Sequence, residues 1–304
     1  VSLERHDEPC VLVVTATGLA ARIDGTLFSP PRSRISHDAI ISQWPTTTRT
    51  AAGVLLSNGE IHSVEPGEFP TLEAKKPTPK DGLDLAGFVG APKGIRVVGV
   101  FPLGDGAPVI ALGTSQGMVK RVNLSGLTPK THQSIVSVKP GDAVVGAGIA
   151  ADDDWLVFIS DDAQVLRFPA DSVRAQGPGA GGMAGMALTE GHQVASFHTV
   201  TDESALVTTV SSSSSALSGV GPGRAKSTPL SEFPPKGRAT RGVRGHGFLK
   251  GEDVIVAAGV AMVPRAVSAG GRAVDLPEAT SKRDASGTPV TTSIGFIGEA
   301  LASD

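Results

Sequence analysis

The sequence predicts an all-β disc of six blades, and three observations carry that prediction. A unit of two short apolar runs joined by a tight turn recurs six times along the 304 residues. Glycine (38) and proline (22) are spread through the whole chain, as many turns require. No stretch shows the apolar period of an amphipathic helix over a convincing length.

The first unit is residues 11–22 (VLVVTATGLAAR), turning at Gly18. The second, residues 54–62 (VLLSNGEIH), turns at Asn58-Gly59. The third, residues 109–121 (VIALGTSQGMVKR), turns at Gly117, and the fourth, residues 155–168, turns at Asp161-Asp162. The fifth is split: residues 206–210 (LVTTV), a serine-rich insertion at 211–215, then Gly223-Arg224-Ala225-Lys226. The sixth, residues 266–274, turns at Gly270-Gly271. The turn centres Gly18, Gly59, Gly117, Asp162, Gly223 and Gly271 lie 41, 58, 45, 61 and 48 residues apart. Asn-Gly and Asp-Asp between β-branched runs are hairpin signals, because these residues tolerate the positive φ of primed turns. A Gly/Ser/Pro connector follows each hairpin and leads to another apolar run, such as residues 143–147 or 254–258. Three to four strands per unit place the blades at about 1–45, 46–105, 106–150, 151–200, 201–256 and 257–304.

Composition narrows the function. The lone Cys10 excludes an internal disulfide and fits a reducing cytoplasm. No apolar run reaches the length of a membrane-spanning helix. The start, VSLERHDEPC, lacks the order of a signal peptide and reads as an excised piece of a longer protein. Tyrosine is absent and aromatics are 4% of the chain, so there are no paired stacking platforms for single strands.

Charge is concentrated in one stretch. Residues 223–253 carry Arg224, Lys226, Lys236, Arg238, Arg241, Arg244 and Lys250 against Glu232, Glu252 and Asp253, a local +4 in a chain of net charge −3. Interspersed glycine lets backbone N–H groups approach phosphate, so this segment suits the backbone of duplex DNA without base readout. Lys120, Arg121 and Arg167 follow hairpin turns, and Arg174 opens a connector; all four join the candidate set. Lys75, Lys76 and Lys80 read as solvated. Phe28, Trp155, Phe158 and Phe168 read as core.

The connectors repeat as well. Residues 174–191 and 236–252 share the pattern G-x-x-x-x-G-(V/M)-x-G followed by a G-D/E-type turn. Together with residues 114–125 (TSQGMVKRVNLS) and 237–245 (GRATRGVRG), this resembles the C-terminal domain of bacterial type IIA topoisomerase A subunits, of DNA gyrase and topoisomerase IV. The resemblance implies a β-pinwheel, six four-stranded blades that exchange strands, with duplex DNA wrapped on its rim. It also implies two protein partners, the ATPase B subunit together with the catalytic core of the A subunit, on the chromosome in the cytoplasm. In the gyrase branch the first blade's connector carries a Gln-Arg-Arg-Gly-Gly-Lys-Gly type box. Residues 29–37 (SPPRSRISH) keep Arg32 and Arg34 but lack those glycines, which favours the topoisomerase IV-like branch.

Enzyme signals fail on context. Gly113-Thr-Ser115-Gln-Gly117 matches a nucleophile elbow, but β runs flank it on both sides. Gly179-Ala-Gly181 precedes no helix, the seven histidines lack metal-ligand spacing, and Asp152-Asp153-Asp154 reads as a turn. Family cleavage chemistry needs a tyrosine, so this piece is expected to be a binding module with no cofactor or metal of its own; ATP and magnesium belong to the holoenzyme. The alternative is a propeller-type protein-interaction module, which the acidic balance outside residues 223–253 favours.

Overall fold

Runs rich in Val, Ile, Leu and Thr form the predicted hairpins, because branched side chains pack well on a pleated surface. The computed structural model describes residues 6–215 and 221–303. The first repeat comprises β1 (Pro9–Thr15), β2 (Leu19–Asp24) and β3 (Ala39–Thr47). The second comprises β4 (Ala52–Leu56), β5 (Glu60–Val64), the short β6 (Thr71–Leu72) and β7 (Leu83–Asp84), and β8 (Val97–Pro102). The third has β9 (Val109–Thr114), β10 (Met118–Asn123), β11 (His132–Ser134) and β12 (Val144–Ile149). The fourth has β13 (Trp155–Ser160), β14 (Gln164–Pro169), β15 (Met183–Ala184) and β16 (Val194–Val200). The fifth has β17 (Leu206–Ser212), β18 (Arg224–Pro229), β19 (Val243–Arg244) and β20 (Val254–Ala261). The sixth has β21 (Pro264–Val267), β22 (Ala273–Val274), β23 (Thr288–Pro289) and β24 (Phe296–Ala300). Strand β3 runs to Thr47 and β20 to Ala261, so two of the expected blade boundaries move outward.

Each repeat builds one blade and completes its neighbour. The last strand of a repeat returns to pair its own hairpin, as β12 pairs β9 and β16 pairs β13. The short connector strand instead crosses to the preceding hairpin: β11 pairs β5, β15 pairs β10, β19 pairs β14 and β23 pairs β18. One backbone bond marks every crossing. The turn carbonyls of Gly18, Gly59, Gly117, Ala163, Gly223 and Gly271 accept the N–H groups of Leu85, Ile135, Met186, Gly245, Val290 and His37 in that order. The sixth of these bonds runs from the first repeat to the last, and β24 pairs β3 beside it. The strands β3, β8, β12, β16, β20 and β24 therefore form a closed ring around a central cavity of about 400 Å³. Apolar cores lie in the seams between blades, six clusters in all among the described residues.

The turns differ from the expected primed type. The Gly59, Gly117 and Ala163 N–H groups close on Leu56, Thr114 and Ser160, and the closing residue alone takes positive φ. This is a type I turn followed by a left-handed residue. In the fourth repeat that residue is Ala163, at φ 65°, so the centre lies one residue past Asp162. Asp161 and Asp162 occupy the two middle positions, where ordinary negative φ suffices.

Candidate nucleic-acid interface

The thirteen cationic candidates fall into two groups. Lys120, Arg121, Arg167 and Lys226 are buried, which corrects the expectation that they reach the rim. The reason is the seam: a hairpin strand is covered on one face by the blade before it and on the other by the blade after it. Both of the consecutive residues Lys120 and Arg121 are therefore enclosed.

Their charges are spent on backbone. Lys120 Nζ donates to the carbonyls of Ile135 (2.8 Å), Gly177 (2.7 Å), Pro178 (3.1 Å) and Ala180 (2.6 Å). Lys226 Nζ donates to Thr228 Oγ1 and to the Arg283 carbonyl, each at 2.7 Å. Burial pulls both ammonium groups down to about 8, which leaves them largely charged at neutral pH. Arg121 bonds the carbonyls of Ala150, Ala170 and Val173 and pairs with Asp152 at 2.8 Å. Arg167 bonds the Phe233 carbonyl, pairs with Glu203 at 2.7 Å and stacks 4.3 Å over Trp155. Arg22, at the same distance from its turn, bonds the Gly67 and Phe69 carbonyls. These arginines thus grip the one-turn 3-10 helices Pro66–Glu68, Ala170–Ser172 and Leu230–Glu232, or the residues just beyond them. A sequence signal for this does exist: cations recur three or four residues after the hairpin turn, in mid-strand, where a seam covers them.

Two more candidates are structural. Arg34 makes a two-point ion pair with Asp38 (2.8 and 2.9 Å) and bonds the Val274 and Ala266 carbonyls, tying the first repeat to the last. Arg224 pairs with Glu252 at 3.3 Å.

The remaining cations face outward. Lys236, Arg241, Arg244 and Lys250 are exposed, and so are Arg174 and Arg32. None of these six pairs with a carboxylate among the described residues. Arg238 is half-buried and bonds the Ala184 carbonyl. The loop that holds Lys236, Arg238, Arg241, Arg244 and Lys250 is braced on both sides. Ala239 N–H donates to the Gly185 carbonyl (2.7 Å) and Ala187 N–H to the Thr240 carbonyl (3.0 Å); Gly247 N–H donates to the Ala285 carbonyl (2.9 Å). Successive connectors thereby form a belt along the outer edge of the disc. Its chemistry is that of a fixed row of free cations with accessible backbone.

Other features prove structural. Lys75, Lys76 and Lys80 are exposed, Phe158 and Phe168 are buried, and Trp155 and Phe28 are half-buried. Asp154 accepts the Ala151 N–H at 2.8 Å, as a turn residue does. Asp161, Asp162 and His192 bring their ligand atoms close together. His192 Nδ1 lies 2.8 Å from Asp161, and Asp142 accepts from Ser115 at 2.8 Å at the corresponding place one blade earlier, so the cluster reads as a turn tether. No helix among the described residues is long and apolar enough to cross a membrane, which says nothing of β-barrels.

Comparison with known proteins follows the same repeats. A family model described as "DNA gyrase C-terminal domain, beta-propeller" matches residues 109–151, 154–201 and 223–261. The A subunit of DNA gyrase from Escherichia coli K12 is 27% identical over 192 residues, 62% of this chain and 20% of that protein. Its counterpart from Mycolicibacterium smegmatis is 25% identical over 251 residues, 78% of this chain and 28% of its own length. The chain therefore spans well under a third of these relatives. A crystal structure of the C-terminal domain of DNA topoisomerase IV superposes with a TM-score of 0.73 at 18% identity, covering 96% of this chain and 93% of that one. A DNA gyrase A C-terminal domain gives 0.65 at 16% identity, covering 97% and 100%. By its repeats and these matches the chain is similar to the β-propeller C-terminal domain of DNA gyrase A subunits, and it shares its closed six-bladed fold with the C-terminal domains of DNA topoisomerase IV and gyrase A.

Proposed function

We propose that this domain binds duplex DNA through its phosphate backbone along the belt of connectors and bends it. The observation that carries the reading is the row Lys236, Arg241, Arg244 and Lys250, exposed and unpaired on a braced loop. Free cations on a rigid edge release counterions from DNA without first breaking an internal ion pair. With no aromatic platform beside them, they grip backbone and leave sequence unread.

In the whole enzyme the bent segment is presented to the catalytic core for strand passage. A further partner is the ATPase B subunit, and the setting is the cytoplasm. Cleavage belongs to those other parts, since it needs a tyrosine and this chain has none; ATP and magnesium are proposed to act there too. Residues 29–37 favour the topoisomerase IV-like branch: they lack the glycine-rich box, and Arg34 is consumed by Asp38, leaving Arg32 free. On that reading, ligation of nicked circles around the domain leaves no large positive linking-number change. A large positive shift moves the assignment to the gyrase type.

The binding test is the salt dependence of affinity. The triple variant Lys236→Ala, Arg241→Ala, Arg244→Ala is expected to lower the log–log salt slope by about 2.7, that is about 0.9 per lost phosphate contact. The control variant Lys75→Ala, Lys76→Ala, Lys80→Ala removes the same charge from solvated positions. Equal losses in the two would mean that net charge alone matters and that the belt is no site.

A further inference from the structure

Counted from the left-handed turn residue, the third position of the second hairpin strand holds Ala21, His62, Lys120, Leu166, Lys226 and Val274. Only the third and fifth repeats place a lysine there. Their ammonium groups reach out of their own repeat into the next one. Lys120 holds residues 177–180 of the fourth connector, and Lys226 holds Arg283 of the sixth. Those are the two connectors that flank the basic one: the fourth bonds it at Gly185 and Thr240, the sixth at Ala285.

We propose that Lys120 and Lys226 are positioning residues for the nucleic-acid interface, holding the fourth and sixth connectors in the shape that braces the cationic loop between them. The inference rests on the duplex-binding reading above. Three facts support it. The carbonyls of residues 177, 178 and 180 belong to an irregular segment with no strand partner, so the ammonium supplies the donors a sheet would. Lys120 meets four carbonyls with three N–H donors, a cage that suits a compact cation; without it the Gly177 and Ala180 oxygens keep one backbone donor each, and the Ile135 and Pro178 oxygens lose theirs. At the corresponding position of the fourth repeat, whose hairpin receives the basic connector lying between the two held ones, Leu166 is buried in the apolar seam and Arg167 takes that connector instead.

The test compares Lys120→Met and Lys226→Met with Arg241→Ala, using hydrogen–deuterium exchange and DNA binding over a salt series. Exchange is expected to quicken at residues 177–187 in the first variant and 282–290 in the second, and at 238–247 in both. Affinity should fall about tenfold with an unchanged salt slope, since no phosphate contact is lost. Arg241→Ala should instead lower the slope by about 0.9 and leave exchange unaltered. Lys120→Ala should regain affinity with added propylammonium but not with propanol, because the vacated cage needs a cation. Lys120→Gln, which keeps two N–H donors, serves if methionine prevents folding. A slope that falls as for Arg241, or unchanged exchange at 238–247, overturns the proposal. If the unaltered domain binds no duplex, the functional reading falls, while exchange at 238–247 still decides whether the lysines hold the loop.

Discussion

The fourth and fifth blades share strand order, register and crossing bond, yet they are filled in opposite ways. The fourth packs Leu156, Phe158, Leu166, Phe168 and Phe197 at 0–1% exposure, with Phe158 edge-on to Phe197 at 4.8 Å. The fifth buries Thr208, Thr209, Ser211, Lys226, Ser227, Thr228 and His246 at 0–3%. Its interior is held by pairs: Thr208 with Ser227 at 2.8 Å, Thr209 with His246 at 2.8 Å, Lys226 with Thr228 at 2.7 Å. Blade geometry is thus set by the hairpin and the crossing connector, while the filling sets how firmly each blade holds. Buried hydroxyls satisfied in pairs contribute less than the same volume of aromatic carbon. The softer blade lies beside the cationic loop.

The sharpest test of that contrast is truncation in each blade. Phe158→Ala should cost about 3–5 kcal/mol by leaving a cavity beside the Phe168 and Phe197 rings. Thr208→Ala should cost about 1–2 kcal/mol, a lost hydroxyl pair and one methyl. Denaturant midpoints with a common slope read both, and equal costs would erase the difference between the blades.

A second test asks whether the turn and crossing outrank the filling. Gly117 has φ 85°, and a side chain there meets the Met186 carbonyl of the crossing connector. Gly117→Val should cost about 1–3 kcal/mol through backbone strain alone, with more from the clash. An unshifted denaturation midpoint would mean that the crossing bond does not define the blade.

Acid should act on both blades through one buried histidine in each. Burial, with Lys226 nearby, pushes His246 down to about 4, and burial alone does the same to His198 on β16. Both lie below the ordinary value of about 6.5, so the unfolded chain takes the protons first. Stability is complete above that value and is lost as pH falls from about 6.5 toward 4. Thermal midpoints across this window should fall less steeply for His246→Asn than for the unaltered protein. Parallel curves would place His246 in a wetter site.

The smallest effect is the most pointed. Replacing both members of a buried pair, Thr208→Val with Ser227→Ala, should change stability by less than about 1 kcal/mol, since no partner is left orphaned. A loss as large as that of Phe158→Ala would show the hydroxyl network to be as strong as the aromatic core.

Fold class, repeat number and the resemblance to gyrase A C-terminal domains were legible in the sequence because they rest on local features: β-branched runs, turn residues and connector glycines at recurring spacing. The basic loop at residues 236–250 was legible for the same reason, since unpaired charge in a glycine-rich loop has nowhere to go but outward. The fate of Lys120, Arg121, Arg167 and Lys226 was not. Each sits in a strand that alternation allows to be half-exposed, and only the neighbouring blade, supplied from about fifty residues away, decides that both faces are covered. Ring closure was equally hidden: it depends on His37 meeting Gly271, and on Arg34 reaching carbonyls 232 and 240 residues ahead. Local sequence determines which elements form. Which cations reach the surface and which are spent on backbone is decided by what packs against each strand, and that is a property of the assembled disc.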